Sequence, residues 1–157
     1  MTLRFTASVP GELRFRDLVG AMLRAVCLRI ERDAGCDGLE WRMISAFNEA
    51  FNNVVEHAYA MTRGDIEVSL LVEDDRVELH LADHGDGFDF GGGPAENEPP
   101  AFEGLSEGGM GLFIIRSVMS AVVYERRADR NLLIMTKTLS GCTPALTAPA
   151  HGDQTRC

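Results

Sequence analysis

Residues 48–59 read NEAFNNVVEHAY and close a segment, 38–60, whose apolar side chains Met43, Ile44, Phe47, Ala50, Phe51, Val54 and Ala58 recur every three or four positions. That period predicts a helix with one buried stripe. Glu49, Asn53 and His57 are spaced four and four, so on a helix they line up away from the centre of the apolar face. A carboxylate and an amide one turn apart suit a shared cation and substrate: the amide oxygen ligates Mg²⁺ and the carboxylate accepts a proton. An ordinary solvated helix surface has the same appearance, so this stripe by itself leaves both readings open.

Downstream, Gly64 breaks the pattern. Val68, Leu70 and Val72 alternate, as do Val77, Leu79 and Leu81, which predicts two antiparallel strands joined by a turn near Asp74 and Asp75. DHGDGFD at 83–89 follows the second strand directly. An Asp at a strand end and two glycines spaced by one let the backbone approach a flat ligand, and an ionised Asp83 is an acceptor suited to an adenine amino group. A plain turn uses the same residues. Residues 84–109 are rich in glycine and hold Pro94, Pro99 and Pro100, as in a functional lid or a disordered loop. GGMG at 108–111 then opens a short helix, about Met110 to Met119, with Leu112, Ile115, Val118 and Met119 as its buried set. Glycines ahead of a helix expose N–H groups to an anion, and a glycine hinge without a ligand is the alternative. Strands at about 121–127 and 131–138 follow, and the tail from Ser140 has an unstructured composition.

Upstream, residues 3–9 predict a strand that Pro10-Gly11 ends. From Glu12 to about Ala34 a helix is expected, with Leu18, Met22, Ala25, Val26, the stem of Arg29 and Ile30 as its apolar stripe, Gly35 as its stop and Asp37 as the cap of the next helix. The order β, α, α, β, β, lid, α, β, β predicts a two-layer α/β sandwich: a mixed or antiparallel sheet with its helices on one face.

A chain of 157 residues, 45% hydrophobic, suits one domain with its own core. The net charge of −9 argues against direct nucleic-acid or anionic-membrane binding, while leaving room for a nucleotide held by a few local donors. None of the four cysteines has CxxC spacing, and no apolar run approaches the ~20 residues of a membrane span, so a reduced, cytoplasmic chain is expected. HExxH, GxSxG and the GKS/GKT of a P-loop are absent.

Individually weak, the three segments are specific in combination. NEAFNNVVEHAY resembles the N box, DHGDGFD the first glycine box and EGGMGLFIIRSVM (107–119) the second glycine box of the bacterial anti-sigma factor serine/threonine kinases. These are a branch of the gyrase, heat-shock chaperone and histidine-kinase ATPase superfamily. YERRADRNLLIMTKTL at 124–139 resembles the family's closing hairpin, and the likeness spans roughly residues 8–139. It implies a Bergerat ATP-binding fold over 1–139, with an ATP lid at about 88–108 and a tail, 140–157, outside it. It further implies Glu49 as general base toward a protein hydroxyl, Asn53 as the Mg²⁺ holder and Asp83 as the adenine acceptor, with Gly85 and Gly87 admitting the base. Gly108, Gly109, Gly111 and Leu112 would bind the nucleotide, the helix they begin cradling its phosphates. His57 would lie at the site's edge or serve structure. The implied partners are a sigma factor held inactive, an anti-anti-sigma antagonist of the STAS type phosphorylated on Ser or Thr, and a second copy docked through the N-terminal strand and helix. A non-catalytic ATP-binding module is the alternative. Two features depart from the pattern: Ser120 stands where these kinases often have Asp, and the lid carries Asp89, Glu96, Glu98, Glu103 and Glu107 with no Lys or Arg, leaving charge neutralisation to Mg²⁺ and the helix N-terminus.

Overall fold

Alternating and helical hydrophobic periods resolve into nine elements: β1 (Leu3–Pro10), α1 (Leu13–Ala34), α2 (Leu39–Asn53), a π-helical turn (Val54–Ala58), β2 (Asp65–Val72), β3 (Arg76–Asp83), α3 (Gly109–Val118), β4 (Ala121–Arg126) and β5 (Asn131–Thr138). The computed structural model describes residues 2–87 and 109–139; the expected lid over 88–108 and the tail from 140 lie outside the described residues.

The sheet runs β1-β2-β3-β5-β4 and every pairing is antiparallel. Register sets Leu70 opposite Leu79 and Leu79 opposite Met135, with Val68, Leu81 and Leu133 forming the next row. Because side chains alternate, both rows point to one face, and all of these residues are buried. The helices cover that face with Leu23, Phe47, Phe51 and Ile115; the Phe47 and Phe51 rings pack tilted, 5.6 Å apart. On the opposite face Ser69, His80, Ile134 and Val123 lie in one register row, at most half-buried. The two-layer α/β sandwich is therefore as expected, with an antiparallel sheet.

Three local expectations need correction. The buried face of α1 is Val19, Gly20, Leu23, Cys27 and Ile30, whereas Leu18 and Met22 point outward, 56% and 44% exposed. Apolar residues run most of the way round this helix, so its period fits two faces, and docking on α2 decides between them. Asp37 does not cap α2. Gly35 and Gly38 both adopt left-handed backbone, which turns the chain so that Glu31, in the last turn of α1, accepts the N–H groups of Gly38 and Glu40, each at 3.0 Å. Finally, α2 does not continue regularly to residue 60: the Tyr59 N–H donates to the Val54 carbonyl at 3.0 Å, a bond five residues back that defines a π turn. That widening takes His57 off the Glu49–Asn53 stripe and leaves it exposed, while Asn53 is buried.

Cys27 is a free thiol in the core, and burial pushes its pKa up to about 12. Cys36 is also buried, and Cys142 and Cys157 lie outside the described residues. Among the described residues, no helix is long and apolar enough to cross a membrane.

Candidate functional site

Asp83 ends β3 and sits in register with Asn131, the first residue of β5; each is 2% exposed. A buried carboxylate demands hydrogen bonds. Oδ1 of Asp83 has two: from Asn131 Nδ2 at 2.8 Å and from the Gly85 N–H at 2.9 Å. Oδ2 accepts none among the described residues. One oxygen is thus fixed by the protein, and the other keeps the acceptor chemistry of a carboxylate.

The turn after Asp83 is pressed against the π turn. A Cβ on Gly85 would lie 2.2 Å from the Ala58 carbonyl oxygen, so only glycine fits. The same carbonyl accepts the Asp86 N–H at 3.1 Å. Gly87 has φ of 74°, and Asn131 Oδ1 and the Tyr124 hydroxyl border it. Tyr59 ties the back of this turn to the sheet: its hydroxyl donates to the Asp65 carbonyl at 2.7 Å and accepts the His84 N–H at 3.1 Å. Burial raises the Tyr59 pKa, so the phenol keeps its proton. The His84 ring hydrogen-bonds through Nδ1 to the Asp129 carbonyl in the β4–β5 turn.

The third segment meets the first. A Cβ on Gly111 would stand 2.8 Å from Glu49 Oε2 and 3.6 Å from Asn53 Oδ1, so the first turn of α3 rests directly on the carboxylate–amide pair. A helix N-terminus favours an anion in general, and glycines at 109 and 111 put no side chain in its way. Glu49 is half-buried; Leu112, also half-buried, packs on the core. At the far end of α3, the Lys137 ammonium donates to the Val118 carbonyl at 3.0 Å, and burial lowers its pKa. Ser120 starts β4 structurally: its hydroxyl accepts the Thr138 N–H at 3.1 Å.

Glu49, Asn53 and Gly111 therefore come together, Asp83 and Gly85 meet Asn131 in a second cluster, and Ala58 joins that glycine turn to the end of the helix that carries the pair. His57 stands apart, and Gly108 lies outside the described residues. Asn131 and Tyr59 were not singled out from sequence, although both fall inside segments quoted above. Asn53 has the chemistry of a cation ligand: its side chain is buried, its amide oxygen can coordinate, and among the described residues its Nδ2 has no hydrogen-bond partner. The described residues gather no three His, Cys, Asp or Glu side chains able to hold a metal, so a cation at Asn53 would need phosphate oxygens or water as further ligands.

Comparison with known proteins agrees with this geometry. The family model described as histidine kinase-like ATPase domain matches residues 16–137. The serine-protein kinase RsbW of Bacillus velezensis is 33% identical over 138 residues, covering 85% of this chain and 84% of that protein. The protein of the same name from Bacillus subtilis is 35% identical over 101 residues, 61% of this chain and 62% of its own length. That from Bacillus licheniformis is 40% identical over 83 residues, 49% of this chain and 51% of its own.

Proposed function

The chain belongs to the histidine kinase-like ATPase domain family, and on that premise we propose that it is an ATP-dependent protein-serine/threonine kinase that doubles as an anti-sigma factor. Its two-layer sandwich agrees with the Bergerat ATP-binding fold. The observation that carries the reading is the meeting of the Glu49–Asn53 pair with the N-terminal turn of α3, on the same helix whose π turn supports the Asp83–Gly85 loop.

Asp83 receives the amino group of adenine on Oδ2, Gly85 and Gly87 leave room for the base, and Asn53 holds Mg²⁺. The start of α3, with Gly108, Gly109, Gly111 and Leu112, binds the phosphates. ATP supplies the phosphoryl group, and Mg²⁺ neutralises charge on it. Glu49 accepts the proton of the protein hydroxyl as that oxygen is phosphorylated, which leaves ADP and a phosphoserine or phosphothreonine. The substrate is a small anti-anti-sigma antagonist of the STAS type, and the alternative partner is the sigma factor. Phosphorylation adds roughly −1.5 to −2 charge to the antagonist. On a chain of net charge −9 this favours its release, and the freed kinase then holds the sigma factor inactive. The exposed Leu18 and Met22 on α1 support a homodimer through the N-terminal strand and helix. Residues 1–139 form the working unit, acting in the cytoplasm.

Calorimetry with ATP-Mg²⁺ followed by transfer of labelled phosphate to an antagonist protein tests this. The wild type is expected to bind and transfer. Binding without any transfer would make the chain a nucleotide-dependent interaction module instead, and no binding would end the kinase reading.

A further inference from the structure

We propose that Asn131 is a positioning and specificity-determining residue of the nucleotide site: it locks Asp83 in the orientation that selects adenine over guanine. The inference rests on the reading of Asp83 as base acceptor. Asn131 is buried, stands directly across the β3–β5 pairing from Asp83, and uses its amide nitrogen twice, toward Asp83 Oδ1 at 2.8 Å and toward the Gly85 carbonyl at 3.0 Å. Those bonds tie the carboxylate and the turn after it to one rigid strand. Its amide oxygen faces the other way, toward Gly87, within 3.0 Å of where a Cβ there would be. A single side chain thus borders both glycines expected to admit the base and fixes the carboxylate between them.

The chemistry of selection follows. Without the Asn131 donor, the carboxylate keeps only the Gly85 N–H and is free to rotate. A carboxylate is acceptor-only, so it favours the amino group of adenine and opposes the carbonyl that guanine presents at the same position. That discrimination depends on Oδ2 being held at the base edge; a carboxylate that turns away loses affinity for adenine and stops rejecting guanine.

The test compares binding of ATP-Mg²⁺ and GTP-Mg²⁺ to the full chain by calorimetry, for wild type, Asn131→Ala, Asn131→Asp and Asp83→Asn. For Asn131→Ala, affinity for ATP is expected to fall about tenfold, in line with losing a hydrogen bond to a charged group, and the preference for ATP over GTP to shrink with it. Asn131→Asp is the same shape and puts a second carboxyl beside the first. Toward acid the pair can share a proton, and the introduced group then donates as the amide did; toward alkaline pH the two charges repel. ATP affinity of this variant should therefore fall steeply as the pH rises. Tyr59, His84, Asp86 and Arg126, which pairs with Asn131 in the β4–β5 register, are common to both proteins, so the wild-type profile accounts for them. A residue that merely supported the fold would weaken ATP and GTP equally and add no pH dependence.

An unchanged ATP-over-GTP preference in Asn131→Ala, or a pH profile of Asn131→Asp parallel to wild type, overturns the inference. Should Asn131→Ala not fold by circular dichroism, the isosteric variant decides, starting from its low-pH state. If both fail, the wild-type side-chain amide signal of Asn131 in NMR decides: a shift on adding ATP supports the inference and no shift rejects it. Wild type that binds no ATP, or Asp83→Asn that binds it as wild type does, would instead sink the adenine reading of Asp83 itself.

Discussion

At the scale of single residues, the site separates holding a nucleotide from using it. In the proposed reading Asp83 presents one oxygen to the base, so Asp83→Asn, which replaces an acceptor-only group with one that also donates, should weaken ATP binding tenfold or more by calorimetry. Glu49 lies against Gly111 at the start of α3, and in the proposed reading it acts at the phosphate end and not on the base. Glu49→Gln should therefore bind ATP within a few-fold of wild type while phosphotransfer to the antagonist drops about 10²- to 10⁴-fold, the usual contribution of a positioned general base. A transfer rate close to wild type in this variant would remove Glu49 from that role. Gly85→Ala tests the packing of the loop: its methyl would press on the Ala58 carbonyl at 2.2 Å, backbone against backbone, so both the melting temperature and ATP affinity should fall. Glu49, Asn53, Asp83 and the glycines were picked out because three motifs, each weak alone, together resemble one family, and the roles proposed for them rest on that resemblance. Asn131 and Tyr59 were not. They act on the Asp83 turn from 46–48 and 25 residues away in sequence, and no local pattern reports a hydrogen bond across that gap.

At the scale of elements, the order of strands and helices followed from hydrophobic period, because two and 3.6 are far apart and most segments fit only one of them. What failed was orientation and termination. The period of α1 identified a helix without identifying its inner face, since Leu18, Met22 and Ala25 recur as regularly as Val19, Leu23 and Cys27. The cap of α2 was sought in the residue next to it, whereas Glu31 supplies it from the preceding helix. That cap gives a pH prediction. The Glu40 and Gly38 N–H groups hold the Glu31 carboxyl below its ordinary value of 4.5. A depressed carboxyl stabilises the fold above the unfolded-state value and loses that contribution as pH falls through the folded-state value. Glu31→Ala should cost about 1 kcal/mol at neutral pH, the usual worth of a helix cap, seen as a lower melting temperature. The gap between variant and wild type should close as the pH is taken below 4.5. A gap that stays constant into acid would mean Glu31 acts through packing and not through its charge.

At the scale of the whole molecule, one helix has two apolar sides and the core uses only one. Val19, Leu23, Cys27 and Ile30 close the domain interior, while Leu18 and Met22 remain 56% and 44% exposed one turn apart on the outer side. Burying two such side chains is worth roughly 1.5–3 kcal/mol each, enough to matter to an interface and not enough to create one without surrounding contacts. In the proposed homodimer this stripe is covered by the second copy. Leu18→Lys together with Met22→Lys should then shift the chain toward monomer in sedimentation velocity at micromolar concentration. ATP binding should be unchanged, because Leu18 and Met22 are exposed and neither is among the residues placed in the nucleotide site. The two measurements separate the possibilities. Loss of the dimer with nucleotide binding intact places the interface on the outer side of α1. A dimer that survives the double substitution places it elsewhere, and a wild type that sediments as a monomer leaves the stripe for a different protein, to be sought by testing whether the same substitutions block capture of the sigma factor or of the antagonist.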